Sequence, residues 1–115
     1  MDEKQQKGVA SELIAEYYLT KAGYIVYSKK SVQSPVDLIA INPEDGEILL
    51  IDVKTASIRK TDFQKGTTIR RSPNEEQKRL NVCFLYVYDN KMCELIIYKD
   101  NTRITKILNE VLVWT

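Results

Sequence analysis

The stretch Pro35-Val36-Asp37-Leu38-Ile39-Ala40-Ile41-Asn42-Pro43-Glu44-Asp45-Gly46-Glu47-Ile48-Leu49-Leu50-Ile51-Asp52-Val53-Lys54-Thr55 decides the fold. Its two flanks are rich in apolar and β-branched residues, and Asn42 to Gly46 between them is turn chemistry, so the whole reads as a β-hairpin. A loop of Pro43 to Gly46 pairs Asn42 with Glu47, so residue numbers across the ladder sum to 89 and Asp37 falls opposite Asp52. Side chains directly opposite each other on antiparallel strands have Cβ atoms about 5 Å apart. Strand alternation puts Lys54 on the face of Asp52 and Val53 on the other. A slip of one residue would move the two aspartates to opposite faces, so this register is a sharp expectation.

Two carboxylates that close together in apolar strands repel each other unless positive charge lies between them. A divalent cation partnered by Lys54 does this best, and the constellation reads as a metal-dependent phosphodiesterase site. The bland alternative, a surface ion-pair cluster on a two-stranded ribbon, conflicts with the apolar neighbours on both sides. The second strand is apolar on both faces except at Asp52 and Lys54, which predicts a central, doubly covered strand. A charged pair there is costly and calls for a ligand or partner.

The chain of 115 residues has 43% hydrophobic and 29% charged residues, as expected for one soluble domain spanning 1–115. No apolar run approaches the roughly 20 residues that cross a bilayer, and Met1-Asp2-Glu3-Lys4 lacks the apolar core of a secretion signal, so a cytoplasmic protein is expected. There is no histidine, and Cys83 and Cys93 have no zinc-site spacing, which excludes the usual zinc frameworks and His-activated nucleophiles. Hairpin pairing about Asp89-Asn90-Lys91 sets Cys83 against Ile97, so a disulfide between the two cysteines is not expected. Oxygen ligands remain, and these suit magnesium or manganese.

Net charge is only +1, yet between Arg59 and Arg79 seven basic residues face three acidic ones. Arg59, Lys60, Lys65, Arg70, Arg71 and Lys78 from this stretch, with Lys29 and Lys30 upstream, are the candidate contacts to a phosphate backbone. The competing reading of this charge is a solvated surface.

Residues Lys4 to Ala22 read as a helix whose apolar stripe is Val9, Leu13 and Tyr17, widened by Ala10, Ile14 and Tyr18 and closed by Gly23. Tyr24 to Tyr27 is a short strand, and Ser28 to Ser34 a polar loop. Ala56 to Arg71 reads as a loop. A helix follows with Ser72 as its N-cap, Pro73 at its first position and Glu75 completing a capping box, ending near Leu80. Val82 to Tyr88 and Met92 to Tyr98 form a second hairpin, Arg103 to Ile107 reads as a further strand, and Leu108 to Trp114 is an apolar tail of undecided type. The seven tyrosines are read as core rather than base-stacking residues. The order α-β-β-β-α-β-β predicts an α/β fold with a central mixed sheet flanked by helices.

Val36-Asp37-Leu38-Ile39-Ala40 followed by Ile51-Asp52-Val53-Lys54 resembles the core of the PD-(D/E)XK nuclease superfamily. Lys7-Gly8-Val9-Ala10-Ser11-Glu12 and Ala22-Gly23-Tyr24 are similar to the opening helix of the archaeal-type Holliday junction resolvases. The resemblance covers Lys7 to Thr55 and implies a restriction-endonuclease-like core. It implies Asp37, Asp52, the Val53 carbonyl and Glu12 as ligands of Mg2+ or Mn2+, and Lys54 as the residue that orients or deprotonates the attacking water. Gln77 would lie near the site. Pro35 is one residue further from Asp37 than in the name motif, Asp52 stands where resolvases show glutamate, and either Ser31 or Ser34 matches their serine before the first aspartate.

The function implied is a metal-dependent endonuclease acting on DNA, as a homodimer that cuts a branched junction in two symmetrical places. The alternatives are a nicking, repair or restriction-like nuclease on the same fold, or a DNA-binding module that has lost catalysis.

Overall fold

A computed structural model of the chain describes residues 1–31, 33–56, 73–98 and 102–109 in full, and 58–59, 67–68 and 99 by backbone alone. Helix α1 (Glu3–Lys21) is followed by strands β1 (Ile25–Ser28), β2 (Leu38–Ile41), β3 (Ile48–Ala56), β4 (Ile58–Arg59) and β5 (Thr67–Thr68). Helix α2 (Glu75–Arg79) and strands β6 (Cys83–Tyr88), β7 (Cys93–Lys99) and β8 (Thr102–Ile107) complete the described elements. Six strands form one sheet in the order β1-β2-β3-β6-β7-β8. Among the described residues only the β3–β6 pair is parallel, so the sheet is mixed and β3 lies inside it, as the sequence implied.

The first hairpin takes the expected register, Leu38 with Ile51 through Ile41 with Ile48. Its turn is built by its own side chains: Asn42 Oδ1 accepts the Glu44 N–H at 3.0 Å, and Asp45 Oδ1 accepts the Glu47 N–H at 2.8 Å. Gly46 closes the loop at φ 76, and its N–H donates to the Asn42 carbonyl at 2.8 Å. That left-handed backbone penalises any Cβ. Gly46→Ala should therefore lose about 1 kcal/mol in a urea melt even though no heavy atom lies within 4 Å of the added methyl. The second hairpin also holds its predicted pairing, Phe84 with Ile96 and Val87 with Cys93, around Lys91 at φ 69.

The sheet separates two apolar layers. One packs Ala15 and Leu19 of α1 on Leu38, Ala40, Leu49, Ile51, Cys83 and Leu85. The other holds Val82, Phe84, Tyr86, Tyr88 and Ile96.

Four expectations are corrected. The buried row of α1 is Ser11, Ala15 and Leu19, whereas Val9, Leu13 and Tyr17 are exposed. The small residues let the helix approach the sheet, and Ser11 satisfies its hydroxyl on Thr55 Oγ1 at 2.7 Å. The N-cap of α2 is Asn74, not Ser72: Asn74 Oδ1 accepts the Gln77 N–H at 2.8 Å and Gln77 Oε1 accepts the Asn74 N–H at 3.1 Å. Part of the stretch read as a loop is extended, with Ile58 paired to Thr68 and Arg59 to Thr67. Tyr86 and Tyr88 are core residues as expected, but Tyr17 and Tyr27 are exposed.

Both helices end in a left-handed residue that closes the last turn, Gly23 after α1 and Asn81 after α2. Tyr24 N–H donates to the Leu19 carbonyl, and Val82 N–H to the Gln77 carbonyl. Strand β8 is present as predicted, and the tail beyond residue 109 lies outside the described residues. Cys83 and Cys93 are unbonded, and burial pushes both thiols up to about 11, which keeps them protonated and inert. No helix among the described residues is long and apolar enough to cross a membrane.

Candidate active site

The site grows from the end of the first hairpin. The β2–β3 ladder starts at Leu38, and Asp37 lies one step beyond it, its N–H donating to the Ile51 carbonyl at 2.8 Å. Asp37 is thus outside a regular pair with Asp52, but its side chain turns back onto β3, where Oδ2 accepts the Val53 N–H at 2.8 Å. Its Oδ1 takes the Lys29 ammonium at 2.6 Å. This fixes both carboxylate oxygens.

Asp52 is 9% exposed and sits in the middle of β3. Its Oδ2 accepts from Gln77 Nε2 at 2.7 Å and lies 3.3 Å from Lys54 Nζ. Lys54 shares the Asp52 face of the strand, as the alternation predicted, and its ammonium stands 5.9 Å from the centre of the Phe84 ring. Gln77 has two tasks: its backbone and side chain cap α2, and its amide nitrogen holds Asp52. Glu12 approaches from α1, placed by the Ser11–Thr55 contact next to it, with Oε1 3.9 Å from Lys29 Nζ.

Acidity follows this crowding. Burial, then the hydrogen bond with Asp37, raises the pKa of Asp52 above the ordinary carboxylate value. Burial pushes Asp37 up too, but hydrogen bonds from Asp52, Lys29 and the Val53 amide outweigh it and the net shift is downward. Glu12 is raised by burial and by its hydrogen bond with Asp37. Lys29 is raised, chiefly by its hydrogen bond to Asp37. Of the three carboxylates, Asp37 is thus the one held below its ordinary value, while Glu12 and Asp52 are held above theirs.

Glu12, Asp37, Asp52, Val53, Lys54 and Lys29 line an open groove of about 710 Å³ beside Gly8 on α1. The donor set of carboxylate oxygens and a backbone carbonyl suits a hard divalent cation such as magnesium or manganese. Among the described residues, no group of three acidic side chains stands ready-spaced around an ion position. Lys29 and the Val53 amide already occupy Asp37.

Of the residues named from the sequence, the structure thus brings together Glu12, Asp37, Asp52, Val53, Lys54 and Gln77. Lys29, expected on the DNA-facing surface, stands against two carboxylates, 2.6 Å from Asp37 Oδ1 and 3.9 Å from Glu12 Oε1. The β1–β2 register sets residue 29 opposite Asp37, and the Lys29 N–H donates to the Asp37 carbonyl at 3.0 Å. Lys30 is exposed, and Lys78 is exposed and pairs with Glu75 at 3.6 Å. Arg59 is described by backbone alone, and Lys60, Lys65, Arg70 and Arg71 lie outside the described residues.

No protein-family model matches the chain. It is 37% identical over 70 residues to Protein 5.3 of Escherichia phage T7, a match that spans 61% of this chain and 58% of that protein. Among solved structures it is similar to a bacterial homing endonuclease, I-Ssp6803I, with a TM-score of 0.64 and 16% identity over 96% of this chain and 80% of the other. The α/β fold with its mixed sheet is therefore shared with an endonuclease of known structure.

Proposed function

We propose that residues 1–115 form one metal-dependent nuclease domain that hydrolyses phosphodiester bonds in DNA. The observation that carries this reading is the pair Asp37 and Asp52, which line one open groove with Lys54, its ammonium 3.3 Å from Asp52 Oδ2. Buried like charges are unfavourable for stability and are kept where chemistry needs them. The shared fold with a homing endonuclease supports the class of reaction.

Asp37, Asp52, Glu12 and the Val53 carbonyl are the residues that would hold magnesium or manganese. When bound, the ion supplies positive charge to the non-bridging phosphate oxygens and makes water easier to deprotonate. Lys54 sets a fixed ammonium beside Asp52, where negative charge grows as the phosphorus is attacked, and orients the attacking water. Gln77 holds Asp52 in one rotamer from the side of α2 and is a positioning residue. Glu12 closes the groove from α1. Lys30, Lys78 and the basic stretch from Arg59 to Arg71 would lie against the phosphate backbone.

The finer form of the proposal is a structure-selective nuclease of the Holliday junction resolvase type. Symmetrical cutting of a four-way junction requires two sites, which a twofold dimer supplies. The test is to incubate the protein with a labelled junction and a matching linear duplex in magnesium, in manganese and in chelator. Metal-dependent paired cuts in the junction alone are the expected result. Cutting of both DNAs keeps the nuclease and discards junction selectivity. Binding without cutting in any metal replaces the enzyme with a DNA-binding module.

A further inference from the structure

We propose that Lys29 is a built-in stand-in cation, which holds the Asp37 and Glu12 carboxylates in the metal-free protein and is displaced when a divalent metal binds. The inference rests on the metal-site reading above. Its starting point is geometry: Lys29 is exposed like its neighbour Lys30, yet its side chain, 29% in solvent, sets the ammonium against two carboxylates.

The placement is dictated by the sheet. Residue 29 follows β1 directly, and its N–H extends the β1–β2 ladder to the Asp37 carbonyl at 3.0 Å, which sets the Lys29 stem alongside the carboxylate. The ammonium then bridges two layers of the fold, 2.6 Å from Asp37 Oδ1 on the sheet and 3.9 Å from Glu12 Oε1 on α1. Two carboxylates brought to one point from different elements need positive charge there, and Lys29 provides it. A divalent ion shared by the same carboxylates would meet that need with twice the charge.

A divalent ion brought to Asp37 Oδ1 would meet the Lys29 ammonium at close range, and the two like charges repel. A lysine is suited to yield, since its charge sits on a flexible four-carbon stem that can swing into the groove without disturbing the backbone. Lys54 is differently placed, 3.3 Å from Asp52 Oδ2 and 5.9 Å from the centre of the Phe84 ring.

The experiment is calorimetric titration of manganese into the DNA-free protein, comparing wild type, Lys29→Gln and Lys30→Gln. Lys29→Gln should bind manganese about tenfold more tightly, because one competing charge at contact distance is gone. Lys30→Gln should stay within about twofold of wild type, since an exposed charge is screened. In wild-type protein, the Lys29 side-chain nitrogen resonance should shift toward that of a solvated lysine as magnesium is added. This second measurement needs no substitution and holds even if Lys29→Gln folds poorly. Equal or weaker binding by Lys29→Gln, or a Lys29 resonance unmoved at saturating magnesium, overturns the stand-in role and leaves the metal site standing. Absence of binding to both wild type and Lys29→Gln overturns the metal site as well.

Discussion

Asp52→Asn should remove metal-dependent cleavage, lowering the single-turnover rate by about three orders of magnitude, while making the metal-free protein more stable. The loss follows from the proposed role: Asp52 shares the groove with Asp37 and stands 3.3 Å from Lys54 Nζ, so replacing its carboxylate removes a proposed metal ligand, and a metal contributes several kcal/mol to such a transition state. The gain follows from the same geometry. An asparagine can accept from Gln77 Nε2 through its oxygen and donate to Asp37 through its nitrogen, so the packing survives and the repulsion between the two aspartates goes. A stabilisation of about 0.5–2 kcal/mol is expected in chelator at neutral pH, the usual return when a strained functional site is relieved.

The pH dependence gives this prediction a sign. Burial first and then Asp37 raise the Asp52 pKa above 3.8, so the folded metal-free protein binds this proton more tightly than the unfolded chain does. In that case stability contributed by Asp52 is present at low pH and is lost as pH rises from about the ordinary carboxylate value through the raised one. The advantage of Asp52→Asn should therefore be absent in acid and open as pH climbs through that window. Denaturant melts in chelator across pH measure it. A gap that is constant with pH, or that widens toward acid, would show that Asp52 is not a strained carboxylate.

The register of the first hairpin was legible because local chemistry specifies it. Asn42, Asp45 and Gly46 admit one loop length, and alternation along Ile48 to Thr55 then places Asp52 and Lys54 together. The ends of the helices at Gly23 and near Leu80 were legible for the same reason, since capping is settled by a few adjacent residues. What escaped was whatever a distant element decides. The apolar bulk of Val9, Leu13 and Tyr17 suggested the wrong face of α1, because close approach to β3 favours the small side chains of Ser11 and Ala15, two positions and about 200° round the helix. The α2 cap moved from Ser72 to Asn74 because Gln77, needed at Asp52, can also complete the reciprocal bonds with Asn74. Lys29 escaped for a different reason: its role is written in the β1–β2 pairing, and the polar run from Ser28 to Ser34 gives no sign of where that pairing begins.

Lys54→Met should separate metal binding from chemistry. Cleavage should fall by about 10²–10³, the cost of removing one preorganised charge at the developing oxyanion. Methionine preserves much of the stem that lies along Phe84, and the lost Lys54–Asp52 pair is partly exposed, so stability should change by no more than about 1 kcal/mol. Manganese affinity should hold or rise, because a positive charge 3.3 Å from Asp52 Oδ2 has been taken away. DNA affinity should change little, with the salt dependence of binding shifting by at most about one phosphate contact. The pattern differs from that of Asp52→Asn, which loses metal binding and cleavage together, and from that of Lys29→Gln, which gains metal affinity through Asp37. If Lys54→Met cleaves at the wild-type rate, Lys54 is only a counter-ion for Asp52. If it loses manganese binding in step with cleavage, its ammonium is needed to build the site rather than to act in it.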